Sequence, residues 1–444
     1  MKILHYSLGF PPYRSGGLTK FCMDLMREQI KEGHEVSLLW PGEMSLFSNT
    51  VKIKAGGKND GISSFEVINP LPVSYDEGIK DFGEFVKEGQ KNVYDEFLAE
   101  LKPDVIHVHT LMGLHKNLLV SAKEQGIRLV FTTHDFFPIC PKVTMYRKGQ
   151  ICSSIESCEE CGVCNNTALG LKKIQILQSP AYRASKDSAL VKKMRKQHRD
   201  GYLVEDTSRD ENGSVGTPAD YKNLRNFYYS MLSLMDIIHY NSTVTKKAYE
   251  KVFNLENSVI IPITHSDISD NRHTKEFNGD KLRIRYLGAQ SSAKGYPVLK
   301  DALDKLWKER QDFCLDIHFE PQERSEYMNS HERYSYSELG RIFEETDILI
   351  APSIWYETFG FTVLEALSFG VPVIISDTVG AKDILTKGAG IVIEDINSDK
   401  IAEALKTVNK EKLTSMNEVI VNAQDILTID KMNEAIIRKC YEEA

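Results

Sequence analysis

Apolar residues fall in short runs that alternate with helical patterns along the first third of the chain. Residues 1–40 contain a strand-like KILHYS, a glycine-bearing loop LGFPPYRSGG, a helical LTKFCMDLMREQIKEG and a strand-like HEVSLLW. This order predicts a βαβ unit. Two further apolar runs, DVIHVH at 104–109 and RLVFTT at 128–133, flank a helix-like stretch. Unbroken apolar strands that alternate with helices are typical of a parallel sheet covered on both faces.

The second half of the chain repeats this pattern and predicts a second parallel α/β domain. Its strand-like runs are LRIRYLG at 282–288, DILIAPS at 347–353, VPVIIS at 371–376 and GIVIE at 390–394. Between the halves, residues 264–280 are polar and nearly devoid of large apolar side chains, as in a linker.

The domain organisation follows from these patterns. We predict a first α/β domain at 1–265, a second at 281–420, and an amphipathic helix at 421–444 that packs back on the first domain. Residues from about 136 to 220 do not fit the α/β alternation and are interpreted as an insertion in the first domain. A chain of 444 residues with 41% apolar residues is long enough for two such cores.

Charge and hydropathy exclude several classes of protein. The 55 Lys and Arg against 63 Asp and Glu give a net charge of −8, which argues against a nucleic-acid-binding surface over the whole protein. No apolar run approaches the roughly twenty residues that cross a bilayer, and the N-terminus MKILHYSLGF lacks the features of a signal peptide. We therefore expect a cytoplasmic protein.

Two glutamates follow the predicted strand at 347–353. A helix that begins near Phe361 leaves Glu357 in the loop and Glu365 in the first turns of the helix, so both carboxylates can face one ligand. The backbone amides of Phe359, Gly360 and Phe361 would point out of the helix N-terminus, where they can bind phosphate or sugar oxygens. The alternative is an ordinary strand, turn and helix with two solvated glutamates.

The segment GAQSSAKG at 288–295 also follows a strand. Parallel sheets open their ligand crevice at the carboxyl edge of the strands, so Lys294 in this position suits an anionic ligand. Near the N-terminus, Gly16 and Gly17 precede a helix, and their amides can approach a phosphate or a sugar. The glycines do not form G-x-G-x-x-G, which disfavours a dinucleotide site, and a simple helix-start turn is the alternative.

Histidines end two of the predicted strands of the first domain. His109 and His134, the latter followed by Asp135, come at carboxyl ends that share an edge with the Gly16 loop. We expect both imidazoles to face the crevice and form part of a polar site, although a lone histidine is more often structural. His107 is expected to point the other way or into the sheet.

Together these segments resemble glycosyltransferase family 4, retaining enzymes of the GT-B fold, in which two Rossmann-like domains face each other across a donor cleft. The most specific match is at 347–385, where P-S-x-W-Y-E-x-F-G-x-x-x-L-E-A-L-x-x-G-V-P-V follows the E-x7-E signature of the family. SLGFPPYRSGGLTKF, KPDVIHVH, TTHD and the K-G of GAQSSAKG match in order and spacing.

The resemblance implies roles for these residues. Glu365 would hold the ribose hydroxyls of a nucleotide sugar, and Glu357 with the amides of Phe359 to Thr362 would hold the transferred sugar and diphosphate. Lys294 would neutralise the leaving diphosphate, and the Gly16, Gly17 and Gly288 loops would line the donor site. His134 and Asp135 would lie beside the reacting sugar and the acceptor, with His109 on the acceptor side. No metal or other cofactor is required for such catalysis, and the chain has no D-x-D motif.

The chain departs from the family pattern at two places in the second domain. An arginine that often follows the glycine of the G-R-x5-K-G segment is replaced by Ala289, and Arg283, Arg285 or another residue would have to compensate. The usual G-G-x-x-E appears as Gly380, Ala381, Lys382 and Asp383, so nucleobase contacts cannot be transferred from the family at that point.

The insertion contains a third departure, five cysteines between residues 140 and 164. The C-x2-C-x2-C spacing suits a structural zinc ion, with reduced structural thiols, an iron–sulfur cluster and a redox role as alternatives. The predicted ligands are Cys152, Cys158, Cys161 and Cys164, with Cys140 as an alternative fourth ligand.

Residues 172–199 carry nine Lys or Arg and one acidic residue. Such a basic helical segment suits an anionic membrane surface or a lipid diphosphate acceptor, which would place the protein on the inner face of the membrane. A solvated helical face is the alternative.

The function that the resemblance implies is transfer of a sugar from a nucleotide-sugar donor to a glycan or lipid-linked acceptor, with retention of configuration, in polysaccharide or lipopolysaccharide synthesis. Nucleic acid is not an expected partner. A GT-B epimerase would need an acid/base set for the sugar C2, a phosphorylase would need a lysine placed for pyridoxal phosphate, and neither pattern stands out. A catalytically inactive nucleotide-sugar-binding or scaffold subunit is the alternative of another class, to which Ala289 gives some support.

Overall fold

The protein is described by a computed structural model at residues 1–11, 14, 16–74, 77–185, 188 and 213–442. Its strands are β1 (Lys2–Tyr6), β2 (Glu35–Pro41), β3 (Lys52–Asn59), β4 (Ile62–Ile68), β5 (Val105–Val108), β6 (Arg128–Thr133), β7 (Tyr146–Arg147), β8 (Gln150–Ile151), β9 (Ile237–Tyr240), β10 (Ser258–Ile260), β11 (Leu282–Tyr286), β12 (Phe313–Ile317), β13 (Met328–Ser330), β14 (Ile348–Ala351), β15 (Val373–Ser376) and β16 (Gly390–Ile393).

Helices connect most of these strands. They are α1 (Gly17–Lys31), α2 (Phe82–Phe85), α3 (Lys91–Leu101), α4 (Lys116–Glu124), α5 (Cys161–Cys164), α6 (Leu171–Leu177), α7 (Pro180–Ser185), α8 (Pro218–Leu232), α9 (Thr243–Glu250), α10 (Tyr296–Trp307), α11 (Leu339–Glu344), α12 (Phe361–Ser368), α13 (Ser398–Lys406), α14 (Lys410–Ala423) and α15 (Ile429–Ile436). Short 3-10 helices lie at Tyr336–Glu338 and Gly380–Ile384, and a π-helix at Ile437–Glu442.

Two large sheets form the two α/β domains. The first has the strand order β10-β9-β6-β5-β1-β2-β4-β3, and all its neighbours are parallel except β3 and β4 at one edge. The second has the order β13-β12-β11-β14-β15-β16 and is parallel throughout. The predicted α/β fold class with two parallel sheets is therefore confirmed.

The central strands are buried on both faces. All four residues of β5 and all of β15 are buried, as their unbroken apolar sequences predict. The carboxyl ends of β1, β5, β6 and β9 lie side by side at one edge of the first sheet. Residues that directly follow these strands are thus brought together at the same edge.

The end of the described chain packs on the first domain. The helix α15 and the π-helix after it contact α1 and β6, and the Arg128 Nε atom donates to the Cys440 carbonyl at 2.7 Å. Cys440 and Tyr441 are buried. This segment, which follows the whole second domain in sequence, contributes to the core of the first domain.

The connector between the domains, residues 264–280, is held to the protein by a few buried residues. Thr264, His265 and Ile268 are buried, and so is Lys275, whose ammonium donates to the Phe343 carbonyl at 2.7 Å. These buried residues anchor the segment, while most of 264–280 is exposed, as its polar composition predicts.

The insertion contributes to the first core. Phe136, Phe137, Ile139 and Met145 are buried in it, followed by the β7–β8 hairpin and α5 to α7. Six of the nine basic residues in 172–199 lie outside the described residues, namely 186, 192, 193, 195, 196 and 199. No helix of the described part of the chain is long and apolar enough to cross a membrane.

Candidate active site

Two glycine-capped helices face each other where the domains meet. Helix α1 begins after Gly16, whose φ is 114°, and α12 begins after Gly360, whose φ is 101°. A Cβ atom on Gly17 would lie 3.6 Å from the Phe361 ring. Neither helix has a side-chain cap, so the positive ends of both dipoles and their first amides are directed at the same space. This arrangement suits a diphosphate or another anion.

Lys294 and Glu357 form an ion pair beside this space. The Lys294 ammonium donates to both carboxylate oxygens of Glu357, at 2.6 and 2.5 Å, and lies 5.2 Å from the centre of the Trp355 ring. Both side chains are partly exposed, Lys294 at 29% and Glu357 at 21%. Two residues that were predicted independently from separate loops are therefore in contact.

The backbone of the 288–295 loop is held in place by close contacts. The Tyr286 hydroxyl donates to the Ala289 carbonyl at 2.7 Å, and a Cβ on Gly288 would overlap this phenol. Gly295 has a φ of 74°, and a Cβ there would overlap the Pro352 carbonyl oxygen. Only glycine fits at Gly295, because both the conformation and the space exclude a side chain.

Glu357 is fixed by its backbone and by three side chains. Its amide donates to the Thr378 carbonyl at 3.0 Å, and its carboxylate accepts from Ser353 at 3.0 Å in addition to Lys294. Burial by itself would raise the pKa of the Glu357 carboxyl, but the Lys294 ammonium and the hydrogen bonds from Lys294, Ser353 and Trp355 outweigh it. The pKa of Glu357 is therefore lowered, and the carboxylate is charged at neutral pH.

Glu365 lies deeper than Glu357. It is 3% exposed, and its Oε1 atom lies 3.1 Å from His265 Nε2. The His265 ring packs edge-on against Phe361 and Tyr336, and Tyr336 is 45% exposed. The Oε2 atom of Glu365 forms no hydrogen bond with a described residue, so this oxygen is available to a ligand hydroxyl. Contact with a ribose stays a prediction.

His134 and His109 follow β6 and β5 as expected, but only His134 reaches the edge of the site. His134 is half-buried and packs on Phe21 at 4.5 Å between ring centres, whereas His109 is completely buried. The expectation that His109 faces the crevice on the acceptor side was wrong, and its Nδ1 atom instead lies 3.3 Å from His134 Nε2. Burial, with the nearby His239, lowers the pKa of His134 to about 3, so its imidazole is neutral.

Of the two alternatives expected for His107, that it points the other way from His109 was wrong. Its ring lies 4.0 Å from that of His109, on the same face of the sheet. Side chains two residues apart on a strand share a face, so the period of the strand required this placement.

Asp135 is held by the start of the insertion. Its Oδ1 atom accepts from the Phe137 amide at 2.9 Å, its Oδ2 atom accepts from Thr110 at 3.3 Å, and its carbonyl accepts from Tyr249 at 2.9 Å. The carboxylate is thereby oriented next to His134.

The arginines considered as replacements for the missing family arginine are engaged elsewhere. Arg283 binds Asp347 at 2.6 Å, and Arg285 is 2% exposed and donates to Thr346 at 3.1 Å. Asp383 of the changed G-G-x-x-E segment accepts from the Thr243 amide and hydroxyl at 2.5 and 2.6 Å. This carboxylate joins the second domain to the start of α9 in the first.

The cysteines of the insertion surround an arginine. The Arg225 guanidinium donates to the Cys158 and Cys161 sulfurs at 2.9 and 3.7 Å, and also to the Ile139 carbonyl at 2.8 Å. A hydrogen bond from Cys161, together with Arg225 and against burial, lowers the pKa of Cys158 to about 6. A guanidinium bound to two thiols does not favour a cation at the same sulfurs.

Groups of three potential metal ligands are scarce among the described residues. Ligand atoms all within 4.8 Å of one another occur at His5, His107 and His109, and at no group of three cysteines. A zinc ion at Cys152, Cys158, Cys161 and Cys164 or Cys140 thus gains no support and stays a prediction. Both nitrogens of each of the three histidines already hydrogen-bond protein groups, so a metal ion would have to displace them.

Several residues of the site were not found from the sequence. His265 and Tyr336 lie in segments without a strand or helix signal, and His5, His239 and Tyr441 are brought to His107 by the order of the sheet and the final helix. Position could have found His5, because it lies on β1, which the sequence predicted, whereas only the packing of the final helix brings Tyr441 to His107.

Comparison with known proteins agrees with this geometry. Residues 15–155 match the family model described as Glycosyltransferase Family 4, and residues 267–425 match the model described as Glycosyl transferases group 1. The two matches lie in the first and the second domain, and the chain belongs to these group 1 glycosyltransferases.

Solved structures show the same GT-B fold over the whole chain. Anabaena HepE in complex with UDP and glucose has a TM-score of 0.54 and 13% identity, with 100% of both chains covered. WaaG, a glycosyltransferase involved in lipopolysaccharide biosynthesis, has a TM-score of 0.52 and 13% identity over 99% of this chain and 100% of its own. These likenesses establish the fold, with its two parallel-sheet α/β domains.

A curated relative matches over a shorter stretch. An uncharacterized 41.2 kDa protein in the cps region of Klebsiella pneumoniae is 27% identical over 136 residues, 29% of this chain. The chain spans 37% of the length of that relative.

Proposed function

We propose that the protein is a retaining glycosyltransferase that moves a sugar from a nucleotide-sugar donor to a glycan or lipid-linked acceptor in cell-surface polysaccharide or lipopolysaccharide synthesis. The observation that carries the proposal is the Lys294–Glu357 pair beside two opposed helix N-termini. A diphosphate in this space would accept hydrogen bonds from the first amides of α1 and α12 and form an ion pair with the Lys294 ammonium.

The placement of the residues supports the following proposed roles. Lys294 neutralises the leaving diphosphate, and its ion pair with Glu357 weakens when the ammonium binds the phosphates. The amides of Phe361 and Thr362 bind phosphate oxygens, and Glu365 Oε2 accepts from the ribose. Transition-state stabilisation is mainly electrostatic, because these groups are fixed before the charge develops. His134 and Asp135 face the sugar and the acceptor.

Polysaccharide or lipopolysaccharide synthesis is proposed from two likenesses. The curated relative is a protein of the cps region, and WaaG has the same fold and takes part in lipopolysaccharide biosynthesis.

A thermal-shift screen tests donor binding. UDP, GDP, ADP, CMP and dTDP sugars are added to the protein and to Glu365→Ala, with Glu418→Ala on the exposed side of α14 as the matched control. Ligand at 100 times its Kd stabilises the folded state by about 2.7 kcal/mol. We expect one nucleotide family to raise the melting temperature of the native protein and the control, and the shift to vanish in Glu365→Ala. No shift at millimolar concentration with any of them contradicts the proposal.

We also propose contact with an anionic membrane surface, near α6. Lys172 and Lys173 are exposed there, and Leu46, Phe47 and Ile176 are 54%, 97% and 54% exposed. The Gln175 amide donates to the Ser45 carbonyl at 3.5 Å, which joins these two segments into one surface. Lysines around exposed apolar side chains suit the interface of an anionic bilayer.

Arg183 does not contribute to this surface, because its guanidinium binds Glu66 at 2.6 Å and lies over Trp40.

Liposome sedimentation at low salt tests the proposed contact with an anionic membrane. Anionic liposomes should sediment more protein than neutral ones, Phe47→Ser should reduce this fraction, and Val392→Ser on the second domain should not. Equal sedimentation with both lipids would count against it.

A further inference from the structure

A chain of eight hydrogen bonds crosses the first domain from the Ile261 carbonyl to His134. Its members in order are Ile261, His239, Thr132, His107, Tyr441, Gln29, His5, His109 and His134. The distances lie between 2.6 and 3.3 Å. Apart from half-buried His134 at one end, every side chain in this set is fully or almost fully buried. Tyr441 links the π-helix at Ile437–Glu442 to the sheet.

The direction of these hydrogen bonds is fixed at the Ile261 end. A carbonyl can only accept, so His239 Nε2, at 2.7 Å, must carry the proton. Burial keeps the imidazole neutral, and its Nδ1 atom is therefore an acceptor. Thr132 must donate to it at 2.8 Å, and the threonine oxygen then accepts from His107 Nε2 at 2.6 Å.

The same reasoning passes through Tyr441. Neutral His107 has no proton on Nδ1, so the Tyr441 hydroxyl donates to it at 2.7 Å and accepts from the Gln29 amide nitrogen at 3.1 Å. Gln29 Oε1 then accepts from His5 Nε2 at 2.7 Å. The other orientation of the Gln29 amide would set its oxygen against the tyrosine oxygen, whose proton is already used.

The last two links reach the site. His5 Nδ1 accepts from His109 Nε2 at 2.9 Å, and His109 Nδ1 accepts from His134 Nε2 at 3.3 Å. The His134 Nδ1 atom is left with a lone pair and hydrogen-bonds no residue that the structure describes. The reversed chain is excluded, because it would place the lone pair of His239 Nε2 against the Ile261 carbonyl oxygen.

We propose that Tyr441 and Gln29 are positioning residues that hold His134 as the Nε2–H tautomer, so that Nδ1 accepts a hydrogen bond from a ligand hydroxyl. A sugar hydroxyl can donate to this nitrogen, whereas a phosphate or carbonyl oxygen would meet it lone pair to lone pair. Tyr441, in the π-helix at Ile437–Glu442, thereby determines which chemical group can lie beside His134. The identification of the hydroxyl as that of a donor or acceptor sugar rests on the proposed function.

Nitrogen NMR of the protein with 15N-labelled histidine tests the tautomers directly. Two-bond correlations between ring protons and nitrogens distinguish protonated from unprotonated nitrogens. We expect His5, His107, His109, His134 and His239 all to be protonated at Nε2 and unprotonated at Nδ1 at pH 7.5. Single His→Gln variants assign the signals. A proton on Nδ1 of His134 in the native protein overturns the proposal without any other variant.

Tyr441→Phe tests the role of the hydroxyl. The variant removes the donor to His107 and frees the Gln29 amide to rotate. The direction of the hydrogen bonds that join His5, His109 and His134 can then reverse. We expect His134 Nδ1–H to become populated in Tyr441→Phe. The matched control is Tyr228→Phe, which also loses one buried hydroxyl, bonded to the Phe85 carbonyl at 3.2 Å, but lies outside the chain of hydrogen bonds. An unchanged His134 tautomer in Tyr441→Phe refutes the positioning role, and Gln29→Met gives the same test if Tyr441→Phe fails to fold.

Kinetics separate this proposal from the proposed function. One hydrogen bond to a sugar hydroxyl corresponds to about a 2- to 10-fold change in affinity. Tyr441→Phe should raise KM for the nucleotide sugar by this factor and leave binding of the nucleoside diphosphate, which has no sugar, unchanged. A changed tautomer with unchanged KM refutes the contact with the hydroxyl, whereas absence of any nucleotide binding in both proteins refutes the proposed function alone.

Discussion

Acid should destabilise the first domain steeply, because five neutral histidines lie in its hydrogen-bonded core. Burial lowers the pKa of His5 and His239 to about 4, that of His134 to about 3, and those of His107 and His109 well below the ordinary value. In the unfolded chain each titrates near 6.5. Between these values the unfolded state binds protons that the folded state does not, so stability rises with pH and is lost as pH falls below about 6.5.

The size of the effect follows from these values. At pH 5 one histidine with a pKa of about 6.5 unfolded and 4 folded costs about 2 kcal/mol, so His5, His134 and His239 together cost about 6 kcal/mol. His107 and His109 add to this cost in the same direction. That is comparable with the whole stability of a domain, about 5–15 kcal/mol. Near pH 5.5 these three histidines alone should take up about 2.7 protons on unfolding, a slope of about 3.6 kcal/mol per pH unit.

Urea unfolding at a series of pH values measures this slope. Far-UV circular dichroism reports both domains, and the fluorescence of Trp40 on β2 reports the first domain when Trp307 and Trp355 are replaced by Phe. His239→Gln removes one titrating group and should lower the proton uptake by about one. A free energy of unfolding that stays constant between pH 7 and 5 would show that the histidines are not held neutral, and the reasoning on their hydrogen bonds would fail with it.

Three further predictions concern single residues. Lys294→Met should lower turnover about 100- to 1000-fold in a nucleoside-diphosphate release assay, because it removes the cation for the leaving diphosphate. Lys300→Met on α10 should retain activity, and equal loss in both variants would contradict the assignment. Gly295→Ala should destabilise the second domain by about 1–3 kcal/mol, since its φ is 74° and Pro352 fills the space, while Gly83→Ala should be neutral in thermal unfolding. Arg225→Met should raise the pKa of Cys158 in a spectrophotometric thiolate titration, and an unchanged titration would refute the contact.

Much of the fold could be predicted from the sequence because the central strands are apolar without interruption. Strands β1, β2, β5, β6, β11, β14, β15 and β16 lie where apolar runs predicted them. The edge strand β3, KIKAGGKN, is almost wholly exposed and contains two glycines. Such a strand carries little periodic signal, and its hydrogen bonds to the neighbouring strand determine its structure.

The site was predicted less completely, for a related reason. Lys294, Glu357 and His134 could be found because each lies in the segment that follows a predicted strand and has a recognisable sequence. His109 was assigned to the crevice because its position on the strand indicates which edge of the sheet it reaches. That position does not indicate that His134 lies between His109 and the site. Tyr441 contacts His107 across 334 residues of sequence, and only the packing of the final helix reveals that contact.

The most direct test of the central claim is release of nucleoside diphosphate from a panel of nucleotide sugars by the native protein and Lys294→Met, with and without lipid-linked acceptors from membrane extracts. We predict release from sugars of one nucleotide, stimulation by acceptor, and loss of release in Lys294→Met. Binding of a nucleotide without release from any sugar in the presence of acceptors would contradict the transferase and leave an inactive nucleotide-sugar-binding subunit in its place.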